Sequence, residues 1–142
     1  MKNLNIEVSS IANEVTNADF SRWYEDTPLG WEVSEGSGTV VPYPFEGGFA
    51  CGITDIDSTD EKYITQEIGT LTNGDNYTLS VNFKGKGTIS LEDNDGGWAT
   101  VTNGSFRFRT ESWENKEISI LIESSTPHRV KIQPEYAMNG RS

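Results

Sequence analysis

The chain has one histidine, His128, and one cysteine, Cys51, which leaves little room for nucleophilic or metal chemistry. A serine or cysteine nucleophile needs a base beside it. His128 follows Pro127 and opens a strand-like run, a placement that reads as a surface histidine. A lone cysteine forms neither an internal disulfide nor a thiolate cluster. The 22 acidic residues could supply a glycosidase pair, whose carboxyl groups stand ~5 to 9.5 Å apart. They gather instead in turns such as TDIDSTDE, where solvation accounts for them. Asp93 and Asp95 in DNDGG begin like an EF-hand loop, but the position that should carry a bidentate glutamate is Gly104. No catalytic residue and no metal ligand is assigned.

Binding by flat rings and planar polar groups remains. Flat aromatic rings pack the apolar faces of a ligand, and Arg, Gln and Asn pair with its polar groups. Trp98 follows the acidic turn DNDGG, and Trp23 stands with Tyr24 in SRWYED. Neither tryptophan has the alternating apolar neighbours of a core strand. In SFRFRTE, alternation buries Phe106 and Phe108 and turns Arg107 and Arg109 to the opposite face. The candidate binding residues are therefore Trp98, Trp23, Tyr24, Arg107 and Arg109. Two plainer roles stay open: Trp98 packed against a neighbouring loop, and the arginines paired with the chain's own carboxylates.

The elements that must position these residues are strands. Short alternating runs rich in Val, Ile, Thr, Tyr and Phe recur, broken by Gly, Asn and Asp. In NYTLSVNFKG, Tyr77, Leu79, Val81 and Phe83 point one way, and Thr78, Ser80, Asn82 and Lys84 the other. Similar runs follow at GTISLED, GSFRFRTE, KEISILIES and HRVKIQPE, with turns expected at TNGDN, KGKG, DNDGG and TNGS. The buried set is expected to include Tyr77, Leu79, Val81, Phe83, Ile89, Leu91, Ile118, Ile120, Ile122, Val130 and Ile132. This pattern predicts an all-β, two-sheet antiparallel sandwich. The proline- and glycine-bearing stretch GWEVSEGSGTVVPYPFEGG is expected to be an irregular crossing between sheets, covering Tyr43 and Phe45.

A chain of 142 residues supports one domain with one core. Its net charge of −11 repels phosphate backbones and anionic lipid, so neither nucleic acid nor a membrane surface is an expected partner. Met1 to Val15 lacks an apolar core of signal-peptide length, and no segment approaches the ~20 apolar residues of a membrane span. The chain is thus expected to be either part of a secreted protein or a component made in the cytoplasm.

The order TNADF, PLGWEV, FACGI, YITQEIGTLTNGDNYTLSVNFKG and ESWENKEISI resembles the jelly-roll carbohydrate-binding modules appended to xylanases and glucanases. The resemblance runs from Asn13 to Tyr136 and rests most on QEIGTLTNGDNYTLSVNFKG. It implies a galactose-binding-like jelly roll, a polysaccharide or cell-surface glycan as partner, no catalysis, and structural positions for Trp31 and Trp113. Such modules usually hold a structural calcium with a glutamate after their Asn-x-x-Phe element and an aspartate near the last strand. Here Ser21 follows Phe20 and RVKIQPEY has no aspartate, so no cofactor is expected. Residues 13–136 form the domain, 137–142 a carboxyl-terminal tail and Met1–Ala12 an amino-terminal arm. In the arm, Leu4, Ile6 and Val8 alternate and invite pairing with another subunit or with the domain's own sheet. A second reading is a structural or decoration protein of a larger assembly such as a bacteriophage virion, using the same fold for attachment or adhesion.

Overall fold

A computed structural model describes residues 4–9, 20, 22–25, 27–36, 38–45, 48–55 and 62–134; at 4–9, 43–45, 48–50 and 54–55 only the backbone is described. Ten strands follow one another: β1 (Leu4–Ser9), β2 (Trp23–Tyr24), β3 (Thr27–Pro28), β4 (Glu32–Val33), β5 (Gly38–Phe45), β6 (Gly48–Asp55), β7 (Ile64–Thr70), β8 (Asn76–Asn94), β9 (Trp98–Leu121) and β10 (Pro127–Pro134). All pairings are antiparallel.

The β8–β9 hairpin is the frame. Its strands are 19 and 24 residues long, where the sequence suggested four separate strands with turns at KGKG and TNGS. Those glycines bend a continuous ribbon instead of ending it. Every odd residue of β8 from Leu79 to Leu91 is buried, straight through Gly85 and Gly87. The inward face therefore never changes sides. Gly85 has φ 108°, a conformation that favours glycine, and the register with β9 shifts between Phe83 and Gly85.

Distances show how sharply the ribbon turns. Phe108 of β9 registers opposite Gly87, four residues along β8 from Phe83, or ~13 Å on a straight strand. Yet the Phe83 and Phe108 ring centroids are 4.5 Å apart. Farther out, Lys116 registers opposite Val81 and Phe106 opposite Ile89, and Lys116 Nζ still lies 5.5 Å from the Phe106 ring centroid. The two halves of the ribbon thus face each other across the core.

Each half collects its own sheet. The first half of β8 pairs with β1, which leads to β6 and then β5. The second half pairs with β10, which leads to β7 and then β4. The result is an antiparallel β-sandwich with one core drawn from both sheets, including Val40, Ile53, Val81, Ile89, Ile120 and Ile132. Of the residues expected inside, nine are buried; Tyr77 and Ile118 are partly buried and pack against the same cluster.

Two placements differ from the sequence reading, and a third takes one of the alternatives it left open. In that third, β1 (Leu4–Ser9) lies between β6 and β8, with Ile6 opposite both Cys51 and Phe83. Of its two alternatives, pairing with the domain's own sheet is the one these residues take. Residues 1–3, 10–12 and 137–142 lie outside the described residues. The proline-bearing stretch is not irregular; β5 pairs through Pro42 and Pro44 with Cys51 and Phe49. An edge strand tolerates this because its outer side needs no N–H donors. The side chains of Tyr43 and Phe45 lie outside the described residues. Finally, His128 is a buried residue, 1% exposed, with Nδ1 2.6 Å from the Thr126 carbonyl oxygen. Its bond to the carbonyl replaces the water that a surface position would have supplied.

Candidate functional site

The outward face of the β4-β7-β10-β8-β9 sheet is polar but recessed. Alternation on β10 points Val130 and Ile132 into the core and leaves Arg129, Lys131 and Gln133 outside. Register then sets their neighbours. Arg129 lies between Glu67 of β7 and Glu92 of β8, and Lys131 lies between Thr65 and Ser90. Gln133 faces Thr88, which in turn faces Arg107 of β9. Thr65, Ser90 and Glu92 are buried although they belong to this outer face. Longer side chains must therefore lie over them.

Two aromatic rings do so. Trp98 is the first residue of β9, opposite Asn94, and is half-buried. Arg129 Cζ lies 4.5 Å from its ring centroid, although β8 runs between the two strands. Neighbouring strands are ~4.8 Å apart, so the indole must reach across β8 to meet an arginine two strands away. That reach covers Glu92. The Glu92 carboxylate accepts a 2.7 Å hydrogen bond from Arg129 Nε, which fixes the guanidinium in place against the ring. At the other side of the face, Lys131 Nζ lies 4.3 Å from the centroid of Tyr63, just before β7. Arg129 and Lys131 are two residues apart on one face of β10, ~7 Å along the strand. The rings of Trp98 and Tyr63 thus flank a common polar strip.

Not all the expected binding residues belong here. Arg107 and Arg109 are exposed on the outer side of β9, while Phe106 and Phe108 are buried as alternation required. Both arginines have interaction partners of their own. Trp23 sits elsewhere: its Nε1 donates a 2.7 Å hydrogen bond to the Phe20 carbonyl, and its ring packs against the core. The β2–β3 hairpin that carries it pairs Trp23 with Pro28 and closes the opposite margin of the sandwich, beside β4 and β5. Behind it, Trp31 is buried 5.3 Å from Phe20, centroid to centroid, and Gln66 Nε2 donates to the Gly30 carbonyl. Tyr24, on the outer side of that hairpin, is 68% exposed. The β2–β3 hairpin neighbours β4 and β5, whereas Trp98 opens β9, with β7, β10 and β8 lying between β4 and β9 in the sheet order. Trp113 is half-buried at the bend of β9. No group of three or more His, Cys, Asp or Glu side chains among the described residues is arranged to hold a metal ion.

Sequence reasoning missed Tyr63, Glu92, Arg129 and Lys131. The alternation in HRVKIQ could have supplied the last two, by the argument that placed Arg107 and Arg109 outside.

The sequence matches the model of the Carbohydrate binding domain family, CBM_4_9, over residues 12–136. The chain belongs to this family. Known structures agree with that membership at the level of fold. A CBM4 module is 16% identical, with 84% of this chain and 88% of that chain covered and a TM-score of 0.62. The CBM22-2 xylan-binding domain of Paenibacillus barcinonensis Xyn10C is 12% identical, with 83% and 84% covered and a TM-score of 0.54. The enzymatically active domain of tailspike protein 4 from bacteriophage CBA120 is 13% identical with a TM-score of 0.64; 89% of this chain matches, but only 20% of the tailspike chain. No curated protein matches by sequence. This carbohydrate binding domain therefore keeps the jelly-roll sandwich with little identity to its structural relatives. β1 lies ahead of the matched residues and is nevertheless an inner strand of the sheet.

Proposed function

We propose that this domain binds a glycan without catalysis, on the outer face of the β4-β7-β10-β8-β9 sheet. The observation that carries the reading is the pair of rings, Trp98 and Tyr63, at two sides of a polar strip made by Arg129, Glu92, Lys131 and Gln133. Family membership supports a carbohydrate as the ligand, and the xylan-binding domain is a relative in fold. Rings pack the C–H faces of a sugar, and the strip between them offers donors and acceptors for hydroxyls. Arg107 lies on the same face, one strand beyond Thr88, within reach of a longer chain. Trp23 supports the fold in this reading, and Tyr24 stands on the β2–β3 hairpin and is not part of the strip.

Affinity electrophoresis against xylan, mixed-linkage glucan and cell-surface polysaccharide tests it. Trp98→Ala and Tyr63→Ala should each weaken retardation several-fold, about 1 kcal/mol per ring, while Tyr24→Ala leaves it unchanged. Retardation that survives both changes would move the site elsewhere.

The likeness to a phage tailspike favours a second reading, in which the domain serves as an attachment or adhesion module of a virion. It predicts co-sedimentation with assembled particles. The two readings share a glycan-contacting face and differ in what carries the domain.

A further inference from the structure

The two rings beside the polar strip are each met by a cation, but the cations are held differently. Arg129 is pinned against Trp98 by the Glu92 carboxylate, which accepts the 2.7 Å bond from Nε. Lys131 Nζ lies 4.3 Å from the Tyr63 ring centroid, and among the described residues no carboxylate pairs with it. Register supplies the reason. Its neighbours on either side are Thr65 of β7 and Ser90 of β8, both uncharged, and Glu32 stands one strand farther out, opposite Thr65. A cation–π contact at a partly exposed site shifts a population by only about two- to fivefold. Lys131 is therefore a cation that a ligand can displace, and Arg129 is not, because its departure would leave a buried carboxylate unpaired.

Lys131 also lies where a ligand would. Ile64 registers opposite Ile132 and both are buried, so alternation turns Tyr63 and Thr65 to the outer face of β7. To reach from β10 a ring carried beside β7, the lysine stem must pass over the β7 side of the strip, where Thr65 is buried despite facing outward. Gln133 follows Lys131 on the same face of β10.

We propose that Tyr63, Thr65 and Gln133 form a sugar subsite that Lys131 covers in the free protein and that opens when its ammonium is displaced from the Tyr63 ring. The inference rests on the reading of the face as a glycan site, and on the Tyr63 side it makes Lys131 a cover instead of a contact. The subsite takes a neutral sugar unit, whose C–H face packs on the uncovered ring and whose hydroxyls meet the Thr65 hydroxyl and the Gln133 amide. The Trp98 side is preformed. Affinity on the Tyr63 side is lowered by the fraction of molecules in which the lysine is in place.

Affinity electrophoresis in xylan and mixed-linkage glucan, together with proton NMR of the lysine ε-methylenes, tests the inference. In the free protein the Lys131 signal, assigned by its absence from Lys131→Arg, should lie upfield of the other lysines because it sits over a ring. Saturating xylo-oligosaccharide or mixed-linkage gluco-oligosaccharide should return it to the ordinary lysine position. Lys131→Ala should bind about two- to fivefold more tightly than the parent. Lys131→Arg should show no gain, since a guanidinium keeps the ring covered. In a Tyr63→Ala background, Lys131→Ala should add nothing. Unchanged or weaker binding by Lys131→Ala overturns the cover, and so does an upfield signal that persists in the saturated complex. Either result, with Trp98→Ala still weakening retardation, leaves the glycan face standing. Retardation by neither polysaccharide, with no response to either oligosaccharide, overturns both readings together.

Discussion

The Arg129 guanidinium lies 4.5 Å from the centre of the Trp98 ring, across an intervening strand, and Glu92 holds it there through a 2.7 Å bond to Nε. Each of the three restrains the others. Removing Arg129 leaves a carboxylate that is only 8% exposed without its cation, so Arg129→Ala should cost on the order of 2–3 kcal/mol in chemical denaturation. Trp98→Ala removes only the ring contact and should cost about 1 kcal/mol. A double-mutant cycle between positions 98 and 129 should show coupling of the same order. Additive losses would mean that the contact contributes nothing to stability.

Gly104 is set by close packing. A Cβ there would stand 2.3 Å from Val101 Cγ2, 3.0 Å from the Val101 carbonyl oxygen and 3.2 Å from that of Leu91. The Val101 methyl can move aside, but the two carbonyls belong to the ribbon itself. Gly104→Ala should lower stability by about 1–3 kcal/mol, read from the shift in urea midpoint. A variant that melts with the parent would show that β9 readily relaxes at this bulge.

Cys51 is buried in β6, and burial pushes its thiol well above the ordinary range. The folded chain therefore keeps the proton at pH values where the unfolded chain, with a thiol pKa of ~8.5, has lost it. Since the native state binds more protons there, stability falls as pH rises above ~8.5, by up to about 1.4 kcal/mol per pH unit. Below that range the thiol makes no pH-dependent contribution. The stability of Cys51→Ala, compared with the parent from pH 8 to 10, should lack this slope. Ellman's reagent should react with the thiol only after denaturation, and rapid reaction in the native protein would contradict the burial.

β1 supplies ladder partners to both β6 and β8. Deleting residues 1–9 should therefore open the sheet between them and leave a chain without a cooperative melting transition. Mere loss of self-association, with the core intact, is what a detachable arm would give. Circular dichroism melting of the truncated protein separates the two outcomes.

Much of the fold was legible because alternation is a local property. The run from Tyr77 to Leu91 states its inner face residue by residue, and bending the ribbon at Gly85 does not change the parity. For the same reason Phe106 and Phe108 could be placed inside and Arg107 and Arg109 outside from the short run SFRFRTE alone. Trp31 likewise entered the core, as the family resemblance implied.

The sequence by itself thus determined the strand class, the inward residues and the outward arginines, all of which follow from a period of two along the chain. Only the tertiary structure decided which strands became neighbours. Glycine in KGKG and TNGS permits either a turn or a bend, and the pairing of a 24-residue β9 along β8 selected the bend. Leu4–Ser9 could have paired with another chain, and the gap between β6 and β8 took it instead. Trp98 met Arg129 because β10 docked on the far side of β8, a relationship fixed by register between distant segments. Pairing partners are chosen by burial and hydrogen bonding summed over the whole sandwich, and no single stretch of sequence carries that sum.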